Sequence, residues 1–483
     1  MRKLIGGVIA AALVSTTTSA VAGPTLLAMG TLSGNKDLSG LTYNLENGMS
    51  AAVLGGLGSG LTYAGGTTYL GVPDRGPNAL VYDPLIDNTT SFISRLQTLN
   101  LALTPSGGAL PFTLTPTLTG TTLLYSPTAL NYGSGNGLGV GSGAPPVNTG
   151  SKFYFSGRSD DYGSGNSGNP LDARFDPEAI RISNDGKSVF ISDEYGPFIR
   201  QFDRQTGALI KTFTLPSKYY VPTKYPTGDV NPGASVTTGE IPNNTIGRTA
   251  NKGMEGLAIT PDGKTLFGIV QAALLQDKSK FLRIVKIDIA SGAVIGEYGY
   301  NLTTGSGVSD IVAIDANHLL IDERDGKGLG DGSTAAVKQF FVIDLQGATD
   351  VSNLTGTAAK NAAVAKPALP FLDLVSALTA AGVPADQIPA KIEGITFGQD
   401  VMINGAVTHT LFIANDNDFS PDLSGQNQFY VFGFTDRDLP NFVAQSIAAV
   451  PEPGTWAMLF AGFAAVGAML RRRGKPRTGL VLN

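Results

Sequence analysis

Acidic side chains recur at matched places along this chain, and chemistry through oxygen ligands is what they would support. Glu178, Glu255, Asp310 and Glu393 each stand at the start of a short apolar run. A second polar set closes the apolar run that follows: Asp74-Arg75, Asp193-Glu194, Gln271, Asp322-Glu323-Arg324 and Asn415-Asp416-Asn417-Asp418. Carboxylates brought together repel unless a cation or a proton sits among them. An all-oxygen set suits a hard cation such as Ca²⁺, which takes about six to eight oxygens at roughly 2.3–2.6 Å. Zinc fits less well, because the chain has no cysteine and only two histidines, His318 and His409. The candidate metal ligands are Glu178, Glu255, Asp310 and Glu393, with Asp74, Asp193 and Asn415 from the second set. Glu194, Glu323 and Asp416 are candidate general bases, and Arg75 and Arg324 offer planar forks to an anionic transition state. Two plainer readings stay open: the acids cap strand ends, and the arginines only pair with neighbouring acids.

Other chemistries drop out. Without cysteine there is no thiol nucleophile or disulfide framework. No Gly-x-Ser-x-Gly elbow occurs in the chain. Gly186-Lys187-Ser188 and Gly263-Lys264-Thr265 end like a phosphate-binding loop but lack the earlier glycine it requires. The loop from Asp322 to Asp331 does not have EF-hand spacing. A net charge of −5 argues against nucleic acid as a partner.

The elements that must position these residues show as a repeat. Phe175 to Gly196 and Lys252 to Gln271 superpose acid on acid, Asp-Gly-Lys turn on Asp-Gly-Lys turn and strand on strand. A third strong copy runs from Lys391 to Asp418 with a longer connection, and weaker ones from Ser59 to Gly76 and Asp310 to Asp325. Each unit is a strand, a Gly-containing turn and a second strand. Further strands follow at Phe198–Phe202, Leu209–Leu215, Phe281–Ile289 and Gln339–Leu345. Four strands per unit predict an all-β propeller of six blades, in which one position repeated per blade forms a ring around a central channel. One short inserted helix is expected over 371–381, ending at Gly382. The Gly/Ser/Asn-rich stretches Gly133–Gly150 and Asp160–Asn169 read as loops, so residues 23–445 form one domain.

Both ends carry addresses. Arg2-Lys3, an apolar run from Leu4 and Ala20-Val21-Ala22 make residues 1–22 a secretory signal peptide. Near the other end, Pro451-Glu452-Pro453 precedes an apolar stretch from Trp456 to Leu470 and then Arg471-Arg472-Arg473. This resembles the PEP-CTERM sorting signal of Gram-negative bacteria. The resemblance implies a tail over 446–483 with a transmembrane helix at 455–470, cut by an exosortase-type protease. The chain would then be exported, to the periplasm, cell surface or medium, and touch the membrane only through this tail before cleavage.

The body is similar to the phytase-like family, labelled for esterase-like activity of phytase. The matching motifs are Pro73-Asp74-Arg75-Gly76-Pro77, Asp176-Pro177-Glu178, Ser192-Asp193-Glu194-Tyr195-Gly196 and Gly253-Met254-Glu255-Gly256-Leu257. They continue with Asp322-Glu323-Arg324-Asp325, Lys391-Ile392-Glu393-Gly394-Ile395 and Asn415-Asp416-Asn417-Asp418. Gln271 departs by standing where the other copies carry an acid. The resemblance implies a β-propeller and hydrolysis of phosphoric or carboxylic esters. The expectation is a monomeric Ca²⁺-dependent hydrolase of a small-molecule ester. The alternative is a non-catalytic surface or matrix propeller holding a structural cation.

Overall fold

The computed structural model describes residues 23–79, 89–133, 143–159, 166–222 and 244–448. The expected signal peptide at 1–22 and the expected apolar helix at 455–470 lie outside the described residues. Among the described residues, no helix is long and apolar enough to cross a membrane.

After β1 (Thr25–Leu32), the first blade is β2 (Gly60–Tyr63), β3 (Thr68–Val72), β4 (Arg95–Pro105) and β5 (Phe112–Leu123). A two-stranded ribbon of β6 (Tyr125–Ser126) and β7 (Phe153–Tyr154) follows. The second blade is β8 (Pro177–Ile182), β9 (Ser188–Asp193), β10 (Phe198–Asp203) and β11 (Leu209–Phe213). The third is β12 (Met254–Ile259), β13 (Thr265–Val270), β14 (Phe281–Asp288) and β15 (Val294–Asn301). The fourth is β16 (Gly307–Ala313), β17 (His318–Arg324), β18 (Lys338–Asp344) and the short β19 (Leu372–Asp373). The fifth comprises β20 (Ile392–Phe397), β21 (Val401–Ile403), β22 (Ala406–Asn415) and β23 (Asn427–Phe434). Its outer edge is β1, which pairs antiparallel with β23 and so joins the two ends of the domain in one sheet.

The five recognisable repeat copies are the inner hairpins of these five blades. Strand β2 lies beside β8, β8 beside β12, β12 beside β16, β16 beside β20, and β20 returns to β2. That ring is closed, so the expectation of six blades is corrected to five. Between the first two blades, the described residues form only the β6–β7 ribbon, which adds no strand to the ring. The inserted helix exists as α2 (Leu374–Ala380), after a shorter α1 (Gly356–Asn361) and before α3 (Pro421–Ser424). It starts three residues later than expected because Leu372–Asp373 pairs with β18, and Asp373 then caps the helix by accepting from the Ser376 N–H. Gly382, at φ +90°, ends it.

Apolar clusters between adjacent blades make the core, with Ile199, Leu257, Ile269 and Ile284 in one and Leu320, Ile395, Leu411 and Phe432 in another. At the axis the inner strands approach too closely for large side chains. A Cβ on Gly394 would lie 2.8 Å from the Leu61 nitrogen and 2.9 Å from the Gly58 oxygen. Into this crowded centre the fourth blade sends Asp310. Its carboxylate accepts from Arg181 Nη2 at 2.9 and 2.8 Å, and from the N–H groups of Leu257, Ile311 and Ile395. Donors from the second, third, fourth and fifth blades thus meet one buried carboxylate, which closes the middle of the channel.

Removing the cation leaves that carboxylate uncompensated. Arg181→Met is expected to cost about 3–5 kcal/mol at pH 8, read as a shift of the urea midpoint. Burial raises the Asp310 carboxyl to about 6 even with Arg181 in place, so protonation relieves the loss and the cost shrinks at pH 5. An equal cost at both pH values would contradict the assignment.

Candidate functional site

Where the inner strands begin, the ladder is irregular in four blades. Register jumps between Pro177 and Ile180, Met254 and Gly256, Val308 and Ile311, and Ile392 and Ile395. Such bulges re-aim a side chain. In three blades the re-aimed residue is a glutamate: Glu178, Glu255 and Glu393, all buried. In the fourth blade the matching residue is Ser309, and Asp310 is one place further on. The pleat alternates faces, so that single step moves Asp310 out of the ring and onto the axis below it. Its place among the ring ligands is therefore corrected. In the first blade Ser59 precedes β2 at the corresponding position.

The glutamates face one another. Burial pushes the Glu178 carboxyl well above the usual carboxylate range, reinforced by Glu255, Asp176, Glu194 and Glu393 around it. Burial raises Glu194 in the same way, with Glu255 next to it. Glu255 and Glu393 are each pushed up to about 7, chiefly by burial. Oxygens of Asp176, Glu178 and Glu194 lie within 4.8 Å of one another. Glu194 also accepts from the Gly253 N–H at 3.1 Å. Only glycine fits there, since a Cβ on Gly253 would meet the Glu194 carbonyl at 2.0 Å. One oxygen of Glu255 accepts from Gln271 Nε2 at 2.7 Å. Its other oxygen has no donor unless Glu194 carries a proton that the two carboxyls share. Glu393 likewise bonds Arg324 through one oxygen and leaves the other unpaired.

Beside this cluster lies a second acidic group, Asp74, Asp416 and Asp418, with oxygens again within 4.8 Å. This one already has its cation. Lys391 Nζ reaches Asp416 Oδ2 at 3.0 Å and also contacts Asp418. Burial works against the charge on Lys391, but Asp416, Asp418, Glu393 and Asp74 outweigh it and hold the ammonium well above its ordinary value. Two arginines complete the rim. Arg75 donates to Asp176, Asn251 and Thr89. Arg324 spans Ser309 and Glu393, so a cation stands in the fourth blade, which lacks a ring glutamate.

The expected site residues therefore separate. Glu178, Glu255, Glu393, Glu194, Asp74, Asp416, Arg75 and Arg324 come together at one mouth of the channel. Glu323 does not: it turns outward, accepting from the N–H groups of Thr303, Thr304 and Gly305 and from Lys366. Asp193 faces into its own blade, bonding the N–H groups of Asp176 and Tyr195 near Arg200. Asn415 does likewise, accepting from the Gln428 N–H at 2.6 Å. Strand alternation explains all three, because each adjoins a residue that faces the mouth. Asp176, Lys391 and Asp418 stood in the sequence motifs without an assigned role, and Ser309 in none of them. Asp176 and Lys391 each sit two residues before a ring glutamate, and that shared spacing was the available signal.

The family model described as esterase-like activity of phytase matches residues 52–419, and the model of the PEP-CTERM protein-sorting motif matches residues 449–473. An uncharacterized secreted protein of Arthroderma benhamiae is 33% identical over 255 residues, which is 46% of this chain and 46% of that one. The match thus spans about half the length of that relative. Among solved structures, a gluconolactonase of Xanthomonas campestris is 11% identical over 78% of this chain and 86% of its own, with a TM-score of 0.29. Hydrazine synthase of Kuenenia stuttgartiensis is 14% identical over 79% and 80%, with a TM-score of 0.27. At such identities and scores, nothing of either protein's chemistry transfers.

The clustered acids set a pH dependence. A carboxyl raised in the folded chain keeps a proton that the unfolded chain releases near its ordinary value of about 4. The stability it contributes is complete below about 4 and is lost as pH rises through the folded value, here about 7 for Asp74, Glu255, Glu393 and Asp416. In chelator, Tm is expected to fall between pH 5 and pH 8, and to fall less in Glu178→Gln. An equal fall in Glu178→Gln would contradict the repulsion described here.

Proposed function

This chain belongs to the phytase-like family, and we propose that it is an exported hydrolase of phosphoric or carboxylic esters with a divalent cation, Ca²⁺, in its acidic mouth. One observation carries the reading: Asp176, Glu178 and Glu194 bring oxygens within 4.8 Å of one another while Glu255 and Glu393 each keep an unpaired buried oxygen. The donor set is all oxygen, which suits a hard cation. Asp176, Glu178, Glu194 and Glu255 would hold it, because Lys391 already stands among the neighbouring aspartates, paired with Asp416 and Asp418. When bound, such a cation polarises an ester oxygen and lowers the pKa of a coordinated water.

The chain's own residues supply the rest. Burial raises both Glu194 and Glu255, so either carboxyl can carry a proton at the mouth and give it up as a general acid. Arg75 and Arg324 stand on opposite partners of the cluster, Asp176 and Glu393. Released in part from these acids, their guanidinium forks orient an anionic group at the mouth. Their side chains keep 15% and 12% of their surface exposed, so the mouth is reached past them.

The burial of Glu194 and Glu255, each 2% exposed, favours a second reading in which the cation is structural and the propeller only binds. Assays with generic phosphomonoesters and acyl esters separate the two. The hydrolase reading expects chelation to abolish turnover and added Ca²⁺ to restore it. It expects Glu194→Gln to lower kcat by roughly 10²–10⁴-fold with the fold intact. Full turnover in chelator would defeat the metal-dependent hydrolase. Loss of thermal stability on chelation, without turnover at any stage, would favour the structural cation.

A further inference from the structure

The far end of the channel is closed by the chain itself. After β23, residues 442–447 run across the ends of the inner strands opposite the acidic mouth, over Tyr63, Pro261, Ala313 and Phe397. Asn441 contacts His318, and the Phe442 ring packs 4.7 Å from those of Phe397 and His409. The Val443 N–H donates to the Ile314 carbonyl. Gln445 donates to Ile182 O and Asn184 Oδ1, and the Ala448 N–H donates to Asn184 O. This strap passes from the fifth and fourth blades to the second and is fixed at Ala448, one residue before the sorting motif begins.

The spacing that follows is short. Eight residue steps separate Ala448 from Trp456, where the apolar stretch starts. Fully extended, they reach under about 30 Å. Four strands side by side give a blade a radius of about 20 Å, and the inner strands are about 20 Å tall. A path from the strap around the outside of a blade to the mouth is therefore about 40 Å or more, which the link cannot span. The same side carries the β21–β22 hairpin, where exposed Met402 and Val407 pair across the ladder.

We propose that, while the sorting tail is attached, the strap face lies against the lipid bilayer and the acidic mouth opens away from it. The tether thus sets the orientation of the propeller as well as its location. Substrates reach the mouth from the side away from the membrane, whether the protein turns them over or only binds them.

The absence of cysteine makes the test direct. Met402→Cys labels the strap side, and Lys327→Cys labels the exposed loop that follows β17 at the mouth. Each is coupled to a fluorophore on the unprocessed chain in phosphatidylethanolamine–phosphatidylglycerol vesicles that contain a lipid-bound quencher. The label at 402 is expected to be strongly quenched and the label at 327 unaffected. A chain ending at Ala448 should lose the quenching. Inserting a Gly/Ser linker of about 20 residues after Ala448 should equalise the two labels. Equal quenching without the insertion, or stronger quenching at 327, overturns the proposal. A difference that survives the insertion overturns the tether as its cause.

Discussion

Like charges forced together around a common axis are the constraint on which the rest of this molecule turns. Bringing inner strands from all blades into one closed ring puts the first residues of each strand at a single mouth, where three blades place a glutamate. Such a cluster is costly in a buried site, and the structure answers the cost differently at each level. On the axis, Asp310 is matched by Arg181 and three backbone N–H groups. At one side of the mouth, Lys391 pairs with Asp416 and Asp418. Where the fourth blade has Ser309 in place of an acid, Arg324 reaches across to Glu393. The group around Asp176, Glu178, Glu194 and Glu255 has no lysine at its centre, and burial raises Glu178, Glu194 and Glu255 there. Asp322, buried behind Arg324 with neither oxygen hydrogen-bonded, adds a further raised carboxyl.

Much of this architecture was legible in the sequence, because turns and strand lengths leave local marks. The Asp-Gly-Lys turns at 185–187 and 262–264 place Gly186 and Gly263 at φ +70° and +71°, as tight hairpins require. Five hairpin copies were visible, and five blades exist. The expectation of a sixth failed because the described residues around β6 and β7 add no strand to the ring. Recurrence of glutamate also pointed correctly to one shared mouth. Errors came at single-residue scale. The fourth blade has Ser309 at the bulged position that holds Glu178 and Glu393, so Asp310 aligned by eye with the ring glutamates but belongs a level below them. Alternation sends Glu323, Asp193 and Asn415 to the faces of the blades, and sequence alone does not say which member of Asp322-Glu323 or Asp193-Glu194 faces in. Lys391 was hidden for another reason: its spacing before Glu393 marks the position, but not that its ammonium fills a cation place between Asp416 and Asp418.

The two ends of the channel divide the work. One end gathers ionisable groups that no apolar core would tolerate. The other is covered by apolar and amide side chains of the strap and leads directly into the segment matched by the sorting motif. The inner ring therefore orders the molecule along its axis, from the acidic mouth through the Asp310–Arg181 plug to the strap face. Blade-to-blade packing holds both ends in register, so the stability of the ring and the geometry of the site rest on the same strands.

Calcium titration calorimetry, repeated in buffers of different ionisation enthalpy, tests the central claim most directly because it counts protons released per ion bound. The account predicts Ca²⁺ binding with net proton release near pH 6.5, decreasing at higher pH as the raised carboxyls lose their protons unaided, and weakened in Glu178→Gln. Binding without proton release, or no binding at all, would contradict it.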